Sequence, residues 1–240
     1  MAKIKPRIIE TDEGIQGDFN VTIYDKMQRR LRDKGWIETN RIITFGIDSG
    51  LALEIGPGPG YLGLEWLKKT TNTHLKCVEI SRDMIEIAEK NAKEYNFIDR
   101  VLYKPGKAEV IPFSDNMFDA VFTNGSLHEW PDPMKAFNEI YRVLKKGGKF
   151  FISDLKRDMN PFMAFFLKMN SQPKEIRPGL ISSIHAAYTK EEIVVILYKT
   201  PLKNAIVSKN MIGIEIKGIK YMVRQSVGYA GNVICHSLSK

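Results

Sequence analysis

Cysteine is almost missing: Cys77 and Cys235 are the only two in 240 residues. Two thiols exclude both a disulfide framework and a four-thiolate metal site. Apolar runs are short, and none approaches the roughly 20 residues that a membrane-spanning helix needs. The opening MAKIKPRIIE is basic but lacks the apolar stretch of a secretory signal, so a cytoplasmic protein is expected. Histidine is scarce too. His74 and His236 have no partners at ligand spacing, and no metal site is expected from the sequence. Internal repeats and low-complexity tracts are absent.

What is present is ordinary for one folded domain: 43% hydrophobic and 27% charged residues. The net charge of +8 is spread along the chain, and its densest clusters, Arg29–Arg32 and Lys145–Lys149, are short and lie near acidic residues. A solvated basic surface accounts for this better than a nucleic-acid footprint.

Along the chain, Phe19, Ile23, Met27 and Leu31 recur every four residues, which predicts an amphipathic helix over about 15–34. Strand-like and helical segments then alternate. LALEI (51–55), HLKCVEI (74–80), RVLYK (100–104), FDAVFTN (118–124) and KFFISDL (149–155) are strand candidates. Helices are predicted from Gly63 to Lys69, from Ser81 (a candidate N-cap) to Tyr95, and from Pro133 to Leu144, the last ending in a left-handed KKGG turn. Such alternation predicts a parallel sheet covered on both faces. The rhythm breaks after Asp154. Residues 156–188 form a Met/Phe-rich, helix-compatible insert, either a lid or ordinary packing. Thr189-Lys190-Glu191-Glu192 is a capping box, and NAIVSKN with MIGIEIKGIK reads as an antiparallel edge hairpin.

The stretch LALEIGPGPGYLG (51–63) supports two parses. Gly58, Gly60 and Gly63 spell the dinucleotide pattern G-x-G-x-x-G, in which a pyrophosphate meets the helix N-terminus. Gly56, Gly58 and Gly60 spell G-x-G-x-G behind Glu54, an acid suited to the ammonium side of a phosphate-free nucleoside. Glu79 ends the second strand, where a carboxylate can accept both ribose hydroxyls. After it, Glu79-Ile80-Ser81-Arg82-Asp83-Met84 places a thioether one turn into the next helix, suited to an adenine face.

These residues, with GKAEVIPFSDNMFDAVFTNGSLHEWPDP (106–133) and EIYRVLKKGGKFFISD (139–154), resemble the class I S-adenosylmethionine-dependent methyltransferases. Within that class they are similar to the small-molecule group that includes the ubiquinone/menaquinone C-methyltransferases. Four collinear segments over about 50–155 carry the likeness. It implies an α/β fold: a seven-stranded, Rossmann-like, mostly parallel sheet with an antiparallel C-terminal edge hairpin. It also implies one domain over 1–240, comprising a helical cap (1–45), a cofactor-binding core (46–155), the insert (156–188), and a C-terminal helix, hairpin and tail (189–240). The cofactor would be S-adenosyl-L-methionine, released as S-adenosyl-L-homocysteine. Gly56, Gly58 and Gly60 would wrap its methionine portion, Glu79 would bind ribose, and Ile80, Met84 and the backbone around Ala108 would surround adenine. The Asn124 carbonyl would meet the ammonium group. Lys107 departs from the family, which often places an acid there, and lysine cannot accept that hydrogen bond. Gly63 becomes a packing residue.

The loop NGSLHEWPDP would border the methyl group, making His128 the candidate general base, with packing beside Trp130 the plainer alternative. Tyr24, His185 and Tyr188 are candidate acceptor contacts. Cys77, inside a strand, argues against a cysteine nucleophile for pyrimidine methylation, and no N-P-P-Y or D-P-P-Y run follows the fourth strand. The expected activity is methyl transfer to a small, partly hydrophobic metabolite. RNA methylation and a non-catalytic cofactor-binding module are the alternatives.

Overall fold

The computed structural model describes residues 6–10 and 14–221; Cys235 and His236 lie outside them. Among the described residues seven strands form one sheet. Strands β1 (Gly50–Ile55), β2 (Thr73–Glu79), β3 (Val101–Pro105), β4 (Phe118–Asn124) and β5 (Leu144–Leu155) pair in parallel. The hairpin of β6 (Ile206–Lys209) and β7 (Gly213–Ile219) joins through β7, which is antiparallel to β5. The order β3-β2-β1-β4-β5-β7-β6 is the mostly parallel sheet with an antiparallel C-terminal hairpin expected from the sequence.

Alternation along each strand divides two cores. Leu53, Ile55, Val121 and Ile152 pack with Phe137 and Ile140 of α5 (Pro133–Val143) and Ile193 of α8 (Lys190–Tyr198). Ala52, Cys77, Phe122 and Phe151 pack instead with Leu64 and Trp66 of α3 (Tyr61–Lys69) and Ala88 of α4 (Arg82–Glu94). Each large side chain so buried contributes roughly 1.5–3 kcal/mol. Glu54 shares the parity of Ala52 and therefore points toward α3.

Local chemistry sets the helix ends. The Ser81 hydroxyl accepts the Met84 amide, and Thr189 and Glu192 close a reciprocal capping box. α3 starts two residues before Gly63, because Gly60 takes φ +86° as its N-cap. The KKGG expectation is corrected: α5 ends at Val143, Leu144 is already extended, and Gly147 (φ +78°) lies within β5, where the register against β4 shifts.

The N-terminal helix α1 spans Asp18–Asp33, but Phe19 faces solvent at 68% exposure, while Val21 is buried. α2 (Thr39–Thr44) follows. The insert forms α6 (Pro161–Asn170) and α7 (Arg177–Ala186). α6 buries none of its residues, and its Phe162, Phe165, Phe166 and Met169 are exposed, so that helix is neither core nor cavity wall. α7 does face a cavity.

Candidate active site

β1 pairs with both β2 and β4, so the strand order reverses between β1 and β4. Loops leaving neighbouring carboxyl ends diverge at such a point and open a crevice for a ligand. A narrow cleft lies there, lined by Gly56, Glu79, Ile80, Lys107, Ala108 and Ser126 among others. It adjoins a cavity of about 870 Å³ walled by α1, the loop after β4, the end of β5, α7 and the segment before β7. Gly14 and Glu129 line both.

The glycine loop resolves the two parses. Gly56 takes φ +63°, and a Cβ there would lie 2.7 Å from that of Ser126. The structure thus demands glycine where the main chain borders the cleft. The Gly58 amide, a donor that a pyrophosphate would need, already donates to Glu79 Oε2 at 3.0 Å. Glu79 Oε1 accepts the Ser81 amide at 2.9 Å. A carboxylate there disfavours phosphate, yet keeps lone pairs for hydroxyl donors such as a ribose diol. Burial pushes the Glu79 carboxyl upward, against the pull of its amide donors. These residues fit a phosphate-free nucleoside.

Glu54 lies elsewhere. Its carboxyl is 1% exposed, accepts the Gly63 amide and sits 3.9 Å from Cys77 Sγ, beneath α3. It does not line the cleft, because its strand parity turns it to the opposite side of the loop. Burial, then the charge of Glu79, pushes it up to about 8. Gly63 is the packing residue expected: a Cβ would fall 2.3 Å from both Glu54 Oε2 and Leu75 Cδ2.

The remaining expected contacts divide. Ile80, Lys107 and Ala108 line the cleft, and Tyr24, Asn124 and His128 line the cavity. The Tyr24 ring covers Gly58, and its hydroxyl accepts from Gln28 Nε2 at 3.0 Å. Asn124 Oδ1 accepts from Ser153 Oγ at 2.8 Å. Met84 is buried at 1% exposure and lines neither space. His185 and Tyr188 are corrected. α7 turns Gly179, Leu180, Ser182 and Ser183 toward the cavity, beside its N-cap Ile176, a face that excludes His185, which is exposed. Tyr188 is packed in the core, with the Arg7 guanidinium over its ring at 4.2 Å.

His128 is buried beside Asp154. Its Nδ1 lies 2.8 and 3.0 Å from the two Asp154 oxygens, and its amide donates to Asp154 Oδ2 at 2.7 Å. Nε2 faces Glu10 Oε2 at 3.4 Å. Burial opposes the imidazolium, but Asp154 above all, then Glu129 and Glu10, overcomes it and raises His128 to about 9. A base poised near neutrality was expected; the surrounding carboxylates hold the proton instead. Glu129 is pushed up to about 7, chiefly by burial, against the attraction of His128. Sequence reasoning missed Glu10, Glu129 and Asp154. Asp154 stands one residue before the end of β5, at the edge where sites form, and Glu129 adjoins His128; Glu10 carried no signal.

A cleft whose residues fit a phosphate-free nucleoside thus lies at the switch point of an α/β sheet. A protein-family model described as a methyltransferase domain matches residues 53–152. The chain is 28% identical over 146 residues to an uncharacterized methyltransferase, YcgJ, of Bacillus subtilis, covering 59% of this chain and 56% of that protein. It is 32% identical over 123 residues to the ubiquinone/menaquinone biosynthesis C-methyltransferase UbiE of Rickettsia felis, covering 50% of each. The chain thus spans about half the length of these curated relatives. A crystal structure from Methanococcus maripaludis, provisionally described as an S-adenosyl-L-methionine-dependent methyltransferase, superposes with TM-score 0.68 at 26% identity, covering 89% of this chain and all of that one. Residues 53–152 thus match a methyltransferase domain, and the fold is similar to that of S-adenosyl-L-methionine-dependent methyltransferases, a likeness that supports S-adenosylmethionine as the cofactor. No helix among the described residues is long and apolar enough to cross a membrane.

Proposed function

We propose that the chain transfers the methyl group of S-adenosylmethionine to a small, partly hydrophobic acceptor in the 870 Å³ cavity. One observation carries this: the nucleoside cleft and the cavity share Gly14 and Glu129, so a sulfur near that boundary would present its methyl group to the cavity. Glu79 receives the ribose hydroxyls, Ile80 and Ala108 flank the base, and the Asn124 carbonyl meets the ammonium group. Tyr24 closes the loop side over Gly58. Met27, Leu31, Leu180 and Ile214 give the cavity its apolar wall.

Displacement at a sulfonium methyl needs alignment and exclusion of water more than covalent help, and orientation can supply up to roughly 7–11 kcal/mol. The carboxylates of Glu10, Glu129 and Asp154 also face the cavity, which suits a positively charged donor and counts against an RNA or phosphate-bearing acceptor. Calorimetry with S-adenosylmethionine and S-adenosylhomocysteine, followed by a labelled-methyl screen of a metabolite extract, tests the proposal. Binding of both, with label entering a small molecule, is expected. Binding with label entering only RNA would overturn the choice of acceptor, and no binding would overturn the whole reading.

A further inference from the structure

We propose that Glu10, His128 and Glu129 form a binding site for a divalent first-row transition-metal ion at the wall of the acceptor cavity, with Asp154 orienting the histidine. Each of the three offers one ligand atom, and these atoms all lie within 4.8 Å of one another. Glu10 comes from the N-terminal segment and the others from the turn after β4, so the cluster exists only in the folded chain. Sequence spacing therefore could not display it.

Three features point to an ion rather than to a chance gathering of acids. The first is the histidine's orientation. Asp154 engages Nδ1 at 2.8 Å and the His128 amide at 2.7 Å, leaving Nε2 as the ring nitrogen for the cavity side. A carboxylate on the far nitrogen is the arrangement that fixes metal-binding imidazoles. The second is distance. Nε2 and Glu10 Oε2 are 3.4 Å apart, longer than a normal N–H···O bond. Two donors each ~2.1 Å from one tetrahedral ion are themselves ~3.4 Å apart. The third is Glu129. Its carboxylate lines both the cleft and the cavity, and it is the third donor within reach of the same point as Glu10 and His128. Two carboxylates and an imidazole nitrogen on one wall form a donor set of the kind that a divalent ion takes.

One imidazole and two carboxylates suit zinc, manganese, cobalt or ferrous iron rather than a soft thiophilic ion. Glu10, His128 and Glu129 all line the cavity, so a further ligand to the ion would come from that side. The inference deepens the proposed methyl transfer and rests on that reading only for what the ion would hold there. The acceptor would then be a metal-binding O–H or S–H compound. Its proton leaves to solvent on coordination, the freed lone pair forms the bond to the methyl carbon, and the carbon–sulfur bond pair returns to sulfur, giving neutral S-adenosylhomocysteine.

The test uses the full chain, stripped with a chelator and titrated with cobalt(II), reading the visible ligand-field absorption, with zinc(II) as competitor. One ion per chain is expected, displaced by zinc. Glu129→Gln and His128→Ala should each weaken binding at least about tenfold, and Asp154→Asn about 10- to 100-fold. Glu10→Gln, on the peripheral segment and outside the core, should do the same, so the result does not hang on a variant that misfolds. S-adenosylhomocysteine should still bind the chelator-stripped wild type, measured by calorimetry. Failure of the wild type to bind cobalt, or binding indifferent to Glu10→Gln and His128→Ala, overturns the site and leaves methyl transfer standing. Loss of nucleoside binding by the wild type would overturn methyl transfer while the metal titration still answers for itself.

Discussion

The Gly63 amide donates to the Glu54 carboxyl, and the contact leaves no room for a side chain between helix and strand. A methyl group on Gly63 would lie 2.3 Å from Glu54 Oε2 and 2.3 Å from Leu75 Cδ2. Gly63→Ala is expected to cost roughly 1–3 kcal/mol through overpacking, read by denaturant unfolding. Removing the obstructing carboxyl should relieve part of this, so the Gly63→Ala/Glu54→Ala pair should cost less than the sum of its single changes. Strict additivity would show that the two residues do not press on each other.

Glu54 also makes stability depend on pH. Its folded-state value of about 8 lies above the ordinary 4.5, so the folded protein holds this proton where the unfolded chain has released it. Stability is then greatest below about 4.5 for this group, and declines as pH rises through about 8, by an amount on the order of several kcal/mol. Glu54→Gln keeps an acceptor for the Gly63 amide but cannot ionise. It should flatten the decline between pH 5 and 8, and equal slopes in both proteins, measured by urea unfolding at several pH values, would contradict the assignment.

Glu79 accepts the amides of Gly58 and Ser81 at 3.0 and 2.9 Å, with that of Ile80 beside them. Glu79→Ala leaves these donors unpaired, each a penalty of about 1–3 kcal/mol, and removes the ribose acceptor. S-adenosylhomocysteine affinity should fall at least about tenfold by calorimetry. Glu79→Gln retains one acceptor oxygen and should lose less. Unchanged affinity in Glu79→Ala would remove Glu79 from the cofactor site.

Strands, caps and the grouping of residues at one cleft were legible because their causes are local. FDAVFTN is β4 residue for residue, Ser81 caps its helix, and Gly56, Glu79, Ile80 and Ala108 line one cleft. What failed depends on side-chain direction and on distant chain. Glu54 was assigned to the ligand from its place before the glycines, but strand parity aims it under α3. His185, a candidate acceptor contact by sequence, lies off the face that α7 presents. The Met/Phe-rich insert left a lid and ordinary packing open, and its α6 buries none of its residues. Glu10 reaches His128 only because the N-terminal segment crosses the loop after β4, a contact without local signature.

That crossing rests on Arg7. Its Nε donates to the Ala186 carbonyl at 2.5 Å, its Nη2 to the His128 carbonyl at 2.6 Å, and its guanidinium lies 4.2 Å over the Tyr188 ring. Two charge-assisted bonds and a cation–π contact thus tie residues 6–10 to the turn that carries His128 and Glu129. Lysine would reach one carbonyl but could neither span both nor stack as a plane. Arg7→Ala should free this segment locally at roughly 1–3 kcal/mol, with much of the sheet core untouched. Amide exchange at Ile8, which donates to the His185 carbonyl at 3.1 Å, should accelerate by roughly 5- to 150-fold, while that of β1 and β4 stays the same. Gly14 walls the cleft farther along the same segment, so S-adenosylhomocysteine should also dissociate faster from the variant. Exchange at Ile8 matching wild type would mean that the segment is held by something other than Arg7.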